Sequence, residues 1–149
     1  MRLVVDASTL VGELLRRRGR ELLGSSRIDL YVPERMWEEA RHEVSKRLAL
    51  RVSRGLSESV AASFRESAAR VKEQSITEVP EEFYEDLRDE ALSRVPQDPN
   101  DWQVVALALS LDADILTEDR DFFGCGIAAW TAETLISQLE RRGRSPFQS

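Results

Sequence analysis

Five acidic residues stand at positions from which their carboxylates could act together. They are Asp6, Glu39, Asp101, Asp119 and Asp121. Hard divalent cations such as Mg²⁺ and Mn²⁺ prefer carboxylate and water oxygens, and several acids held close together are costly unless a cation neutralises them. Such an ion can activate a water molecule and offset the charge that develops on a phosphate during hydrolysis. These residue types therefore favour metal-assisted hydrolysis of a phosphodiester.

The other residue types leave few alternative catalytic arrangements. His42 is the only histidine and Cys125 the only cysteine, so the chain has no convincing Ser/His/Asp or Cys/His arrangement. A zinc site of Cys and His ligands cannot be assembled within one chain, and a single cysteine cannot form an intramolecular disulfide. The sequence also contains neither a nucleophile elbow nor a glycine-rich phosphate loop. Any metal ion must accordingly be held by oxygen ligands.

Some of these acids also have a purely structural interpretation. Asp6 could cap the helix that follows it, and Asp101 could complement the dipole of the helix in whose first turn it lies. Asp98 fits an N-cap, with Pro99 at the first helical position, and is predicted to be structural. The five positions as a set are more specific than any single acid.

Two choices among the acids stay open. One predicted helix carries Glu39, Glu43 and Arg47 at a spacing of four residues, so either glutamate could reach the site. Alternatively, Glu43 could serve only as the ion-pair partner of Arg47. Asp119 and Asp121 could belong to an ordinary polar turn, because two acids at this spacing in a loop are weakly specific.

The apolar pattern predicts strands that alternate with helices. Short apolar runs predict strands at residues 3–5, 28–32, 76–79, 115–117 and 127–130. Helical spacing predicts helices near residues 10–15, 21–23, 34–52, 57–71, 83–92, 98–111 and 132–142, with Gly19 interrupting the first two. Parallel strands need crossover connections, so this alternation predicts an α/β fold with a parallel sheet of about five strands and helices on both faces.

The carboxyl edge of this predicted sheet is where the acids could meet. In open parallel sheets, ligands bind outside the carboxyl ends of the strands. Asp6 closes the first strand, and Asp119 and Asp121 follow the fourth. Asp101 lies in the first turn of a helix that is apolar nearly all round, and Glu39 can lean over the same edge.

Size and composition fit one ordinary domain. The chain has 149 residues, of which 42% are hydrophobic and 32% charged, the balance of a folded, well-solvated globule. Residues 1–143 are predicted to form the domain, and residues 144–149 a flexible tail. The N-terminus has the pattern of neither a signal peptide nor a membrane span, so we expect a cytoplasmic protein without a membrane partner.

The charge distribution is uneven along the chain. A net charge of -6 argues against a protein that coats nucleic acid generally, because phosphate binding depends on Lys and Arg. Basic residues nevertheless cluster within residues 16–20 and 141–144. These arginines could form a basic rim around an acidic centre, or they could be an ordinary solvated feature of helix ends.

Four segments resemble the PIN-domain family, in particular a small prokaryotic branch of it. They are residues 4–8 (VVDAS), 37–41 (WEEAR), 101–108 (DWQVVALA) and 117–123 (TEDRDFF). Their order and spacing match the family from end to end, so the resemblance covers nearly the whole chain.

The resemblance implies a set of site residues and an activity. The family has an Asp after the first strand, a Glu on an early helix, an Asp opening a buried helix and an Asp in a Thr-x-Asp-x-Asp-Phe loop. Carried over, these are Asp6, Glu39, Asp101 and Asp119, with Asp121 as an additional acid. Thr117 and Ser8 would help to orient the acids or a metal-bound water. The resemblance implies an endoribonuclease dependent on Mg²⁺ or Mn²⁺ and often a homodimer, and many small members are toxins neutralised by an antitoxin.

Two other functions remain compatible with the residues. The acidic pocket of a non-enzymatic module could bind a basic protein segment, such as an arginine of an antitoxin, or RNA. The presence of all four expected acids favours catalysis instead. A receiver domain phosphorylated on aspartate shares the acid after the first strand, but the chain lacks an acid pair there and a lysine after any late strand, since lysines occur only at Lys46 and Lys72.

Overall fold

Five parallel strands form the central sheet of the computed structural model, which describes residues 1–95 and 99–143. They are β1 (Arg2–Val5), β2 (Asp29–Pro33), β3 (Ile76–Val79), β4 (Asp114–Leu116) and β5 (Ala129–Trp130). Their order across the sheet is β3-β2-β1-β4-β5, and every neighbouring pair is parallel. The predicted α/β fold with about five parallel strands is confirmed.

Seven α-helices lie within these ranges and connect the strands. They are α1 (Ala7–Leu14), α2 (Arg17–Leu23), α3 (Glu34–Ser53), α4 (Glu58–Ser75), α5 (Arg88–Arg94), α6 (Trp102–Leu111) and α7 (Ala132–Gly143). Across residues 1–95 and 99–143, no helix combines the length and the apolar character that a membrane crossing requires.

The centre of the sheet and the helix packed on it are apolar throughout. Leu3, Val4 and Val5 of β1 have no exposed surface, as expected of a parallel strand covered on both faces. Helix α6 packs against β1, β2 and β4, and its residues 102–108 are all buried. Because this packing fixes α6 on the sheet, it also fixes the position of Asp101, the residue that precedes the helix.

Three helical segments differ in detail from the prediction. The break between the first two helices lies at Leu15 and Arg16 and not at Gly19, which lies within α2. The helix predicted near residues 83–92 is divided into two 3-10 turns and α5. Tyr84 separates the two turns with a φ of -126° and buries its ring edge-on against Trp102, at 5.7 Å between centroids. A 3-10 turn at Pro99–Asp101 leads into α6.

Three further predictions concern parts of the chain that the structure leaves undescribed or alters. The predicted N-cap at Asp98 and the predicted tail, residues 144–149, lie outside the described residues. The last strand, Ala129–Trp130, is shorter than the predicted residues 127–130, and the turn that precedes it contains Gly124 and Gly126 at φ values of 94° and 88°.

Helix α2 packs so closely on α1 that Gly19 has no room for a side chain. A Cβ atom there would overlap the carbonyl oxygen of Glu13 and lie 2.6 Å from the Glu13 Cα. We expect Gly19→Ala to lower the free energy of unfolding by about 1–3 kcal/mol, measured by urea denaturation, because backbone must shift to admit the methyl group.

The matched control is Gly12→Ala on α1. The nearest atom to its added Cβ would be Nη2 of the flexible Arg16 side chain, at 3.4 Å. This substitution should raise stability by roughly 0.5–1 kcal/mol through helix propensity. Equal effects of the two substitutions would contradict the close packing of α2 on α1.

Candidate active site

The ends of β1 and β4 define a crevice at the carboxyl edge of the sheet. The two strands are parallel neighbours, with Val5 beside Leu116. The chain adds β2 and β3 on one side of β1 and then β4 and β5 on the other. The direction of the connections therefore reverses between β1 and β4, which is where open α/β sheets bind ligands. Asp6 and Thr117 are the residues that follow the two strands.

Asp6 is fixed in this crevice by hydrogen bonds to both of its carboxylate oxygens. Its Oδ1 accepts a hydrogen bond from the Thr9 backbone N–H at 3.1 Å, so Asp6 is the N-cap of α1. Its Oδ2 accepts a hydrogen bond from the Thr117 hydroxyl at 3.0 Å. Asp6 is only 5% exposed. The capping interpretation and a role in a site are thus compatible, because the cap itself holds the carboxylate at the crevice.

The loop after β4 is held by two threonine hydroxyls and one carboxylate. Thr117 Oγ1 accepts a hydrogen bond from Asp119 N at 3.0 Å, and Thr9 Oγ1 accepts one from Glu118 N at 2.9 Å. Oδ1 of Asp119 then accepts a hydrogen bond from Asp121 N at 2.9 Å. These bonds attach the loop to the start of α1 and to the end of β4, and they keep Asp119 at the crevice.

The carboxylate of Asp6 is in an unfavourable place for a negative charge. Burial raises the pKa of Asp6 above its ordinary value of 3.8, and the nearby charge of Asp119 raises it further. The hydrogen bonds from Thr9 and Thr117 lower this pKa, but they do not offset the loss of solvation. An ionised Asp6 would be favoured by a cation placed close to it.

A cavity of about 570 Å³ opens at this crevice, and most of the predicted site residues line it. Four predicted site residues line it: Asp6, Glu39, Asp101 and Asp119. They come from the end of β1, from α3, from the turn before α6 and from the loop after β4. Asp121 does not line the cavity, although it lies beside it in the same loop.

Three of the acids are close enough to share one ion. One carboxylate oxygen each from Asp101, Asp119 and Asp121 can be chosen so that all lie within 4.8 Å of one another. A donor set of oxygens alone fits a hard divalent cation such as Mg²⁺ or Mn²⁺. The residues present therefore fit such an ion.

Comparison with known proteins identifies the fold family. The family model described as PIN domain matches residues 4–140. The chain belongs to the PIN-domain family. PIN domains are generally nucleases, and they typically use a divalent metal. No curated protein sequence shows a significant match to this PIN domain.

Three solved structures share the fold of this PIN domain. PAE2754 from Pyrobaculum aerophilum has 18% identity and a TM-score of 0.64, over 95% of this chain and 90% of that one. FitAcB from Neisseria gonorrhoeae has 19% identity and a TM-score of 0.55, over 86% and 96%. VapBC2 from Rickettsia felis, solved with a DNA fragment from its promoter, has 14% identity and a TM-score of 0.56, over 88% and 98%. At these identities the likeness concerns the fold.

The two candidate glutamates of α3 are placed differently in the PIN domain. Glu39 lines the acid cavity. Glu43 instead accepts a hydrogen bond from Nε of Arg47 at 3.1 Å, as an i,i+4 pair on a largely solvated helix face. The helix is rotated in this way because Met36, Ala40, Val44 and Leu48 form its buried side.

Four polar residues line the same cavity and were not predicted as ligands of an ion. They are Ser8, Arg35, Asn100 and Gln103. Ser8 follows the strand-ending Asp6 and was expected to help orient the acids. Gln103 carried a visible signal, because it is the one polar residue between Trp102 and Leu109 in an otherwise apolar run.

The arginines near the PIN-domain site have distinct surroundings. Arg16 and Arg47 line a second cavity of about 320 Å³, which shares Ser8 and Asp119 with the first. Arg20 instead donates to the Leu14 carbonyl oxygen at 2.9 Å. A part of the predicted basic cluster therefore borders the acidic centre, and a part serves local structure.

The raised pKa of Asp6 gives a defined dependence of stability on pH. Protonated Asp6 contributes its full stabilisation below pH 3.8, and the contribution is lost as pH rises through the higher pKa of the folded state. With a chelator present, the free energy of unfolding of Asp6→Asn should therefore rise relative to the unsubstituted protein as pH increases above 3.8. The difference should level off once Asp6 is ionised in the folded state.

Urea denaturation of both proteins over a pH series measures this difference. The substitution also alters the hydrogen bond with Thr117, but that effect adds a constant offset and leaves the slope unchanged. A difference that does not vary with pH would show that burial imposes no cost on the ionised Asp6.

Proposed function

We propose that this PIN domain is an endoribonuclease that hydrolyses RNA phosphodiester bonds with the help of Mg²⁺ or Mn²⁺. The observation that carries the proposal is the meeting of four carboxylates at one cavity, at the edge where β1 and β4 end. Their oxygens are held by elements that are far apart in sequence. A cavity of this acidity favours a cation, and the sequence contains no convincing Ser/His/Asp or Cys/His arrangement that could act without one.

The ion would be held mainly by Asp101, Asp119 and Asp121, whose carboxylate oxygens are grouped. When bound, the ion supplies stabilisation of negative charge on the phosphate and activation of a water molecule. Asp121 reaches the group from the rim, since it is exposed and does not line the cavity.

Asp6 and Glu39 complete the acidic wall in different ways. Each oxygen of Asp6 accepts one hydrogen bond, from Thr9 or from Thr117, and each retains capacity for another donor or a cation. The orientation of this carboxylate is therefore set before any ligand binds. Glu39 is exposed on α3 and can adjust its position toward a bound substrate.

Arginines around the cavity would hold the phosphates that flank the cleaved bond. Arg35 lines the acid cavity, and Arg16 and Arg47 line the adjoining one. Since the net charge is -6, binding to a polyanion depends on such local cations. This arrangement supports a strand of RNA that crosses both cavities and passes Asp119, which borders each of them.

An antitoxin encoded with this protein is the partner that the family supports best. Many small PIN-domain proteins are toxins with such a partner, and many form homodimers. An acidic cavity would also accept an arginine from an inhibiting protein, which would neutralise the same carboxylates that hold the ion. A catalytically silent module would bind a basic partner or RNA in the same place but would leave RNA intact.

Cleavage of RNA by the purified protein with Mn²⁺ tests the proposal, with Glu39→Gln as the principal variant. Glu39→Gln should lower the cleavage rate roughly 100-fold or more, as loss of one charged group that acts on the reacting centre typically does. Glu43→Gln is the matched control, because Glu43 has the same chemistry one helical turn away and pairs with Arg47. Its effect on the rate should be far smaller than that of Glu39→Gln, because Glu43 does not line the acid cavity.

Chelation should abolish cleavage, and added Mn²⁺ should restore it. DNA of the same sequence provides the comparison that defines the substrate as RNA. If a broad panel of RNAs stayed intact with Mn²⁺ and with Mg²⁺, or if Glu39→Gln and Glu43→Gln behaved alike, the proposed ribonuclease site would be wrong.

A further inference from the structure

One neutral side chain in the wall of the acid cavity has an oxygen that accepts no hydrogen bond from the part of the chain that the structure describes. Gln103, in the first turn of α6, lines the cavity and is only 3% exposed. Its Oε1 is buried and accepts no hydrogen bond from any residue in the ranges 1–95 and 99–143. Most buried polar atoms in proteins are hydrogen-bonded, so a buried oxygen without a partner calls for an explanation other than packing.

The unsatisfied oxygen is expensive for the fold. A buried acceptor without a donor has lost its hydrogen bonds to water and has gained none in return. The next residues of α6, Val104 and Val105, are apolar and fully buried. A methionine would fill a volume similar to that of Gln103 without this cost. A glutamine at this position is therefore explained if a bound ligand brings a hydrogen-bond donor into the cavity for Oε1.

The surroundings restrict what that donor can be. Ionised Asp6, Asp101 and Asp119 are acceptors only, and the non-bridging oxygens of a phosphodiester likewise donate nothing. A hydrated divalent cation brings O–H donors into the cavity, and Mg²⁺ keeps several of its water molecules when proteins bind it. Water on a divalent cation is a stronger hydrogen-bond donor than bulk water, because the ion withdraws charge from it.

We propose that Gln103 is an outer-sphere contact of the divalent cation. In this contact the carboxamide oxygen of Gln103 accepts a hydrogen bond from a water molecule that hydrates the ion. The inference rests on the ion of the proposed function and adds a residue to its site. Oε1 is buried in the structure, so this hydrogen bond requires a rotation about the terminal torsion of the side chain, which is broad in glutamine. Gln103 is a positioning residue, because it acts on the ion through water and leaves the inner ligands to the carboxylates.

Gln103→Met separates this role from a packing role. In chelator, the free energy of unfolding should be equal to or higher than that of the unsubstituted protein, because an unsatisfied buried oxygen has been removed. Calorimetry should show Mn²⁺ binding weakened by roughly tenfold or more, as is typical when an outer-sphere partner is lost. The rise in Tm on adding Mn²⁺ should shrink accordingly.

Two further proteins complete the experiment. Gln138→Met, on α7 and away from the cavity, should keep the unsubstituted affinity for Mn²⁺. Gln103→Glu retains an oxygen at the same place, so it should bind Mn²⁺ at least as tightly as the unsubstituted protein. In chelator it should be less stable, because it adds another buried charge to the cavity.

The inference is overturned if Gln103→Met binds Mn²⁺ with unchanged affinity, or if Gln103→Glu binds it more weakly than the unsubstituted protein. The proposed function fails separately, if the unsubstituted protein shows no Mn²⁺ binding at all. Unchanged affinity of Gln103→Met together with a loss of stability in chelator would assign the glutamine to packing.

Discussion

The hydrogen bond from the Thr117 hydroxyl to Asp6, at 3.0 Å, joins the ends of the two strands on which the site depends. Parallel pairing of β1 with β4 brings these residues together across 111 positions of sequence. The same hydroxyl accepts a hydrogen bond from Asp119 N, and Asp6 also caps α1. Strand pairing, helix start and acidic loop are therefore one connected structure, and displacing any of them would move the carboxylates.

This construction places negative charge where water cannot solvate it well. Burial raises the pKa of Asp6, and Asp119 acts in the same direction. In a chain without an ion, the free energy for holding the acids together must come from the apolar packing of β1, β4 and α6. A cation that binds only the folded state stabilises that state and offsets part of the free energy spent on holding the acids together. Ion binding and folding are therefore linked. The acidity that suits this cavity to a cation is thus also a cost that the core has to support.

The sequence predicted the fold and the position of the cavity acids that are tied to strand ends, because apolar runs locate buried strands and the parallel sheet brings their ends together. Asp6 and Asp119 are of this kind. The choice between Glu39 and Glu43 could not be made from spacing, since it depends on how α3 rotates as it packs. Gln103 was visible as a polar residue in an apolar run, but only the tertiary structure shows that it lies in the wall of the acid cavity.

The most direct test of a metal centre at this edge of the sheet is the anomalous scattering of Mn²⁺ in crystals soaked with the ion. We expect a peak at the acid cavity within coordination distance of carboxylate oxygens of Asp101 and Asp119. A cavity without a peak at saturating Mn²⁺, or an ion bound only at other surface carboxylates, would contradict it.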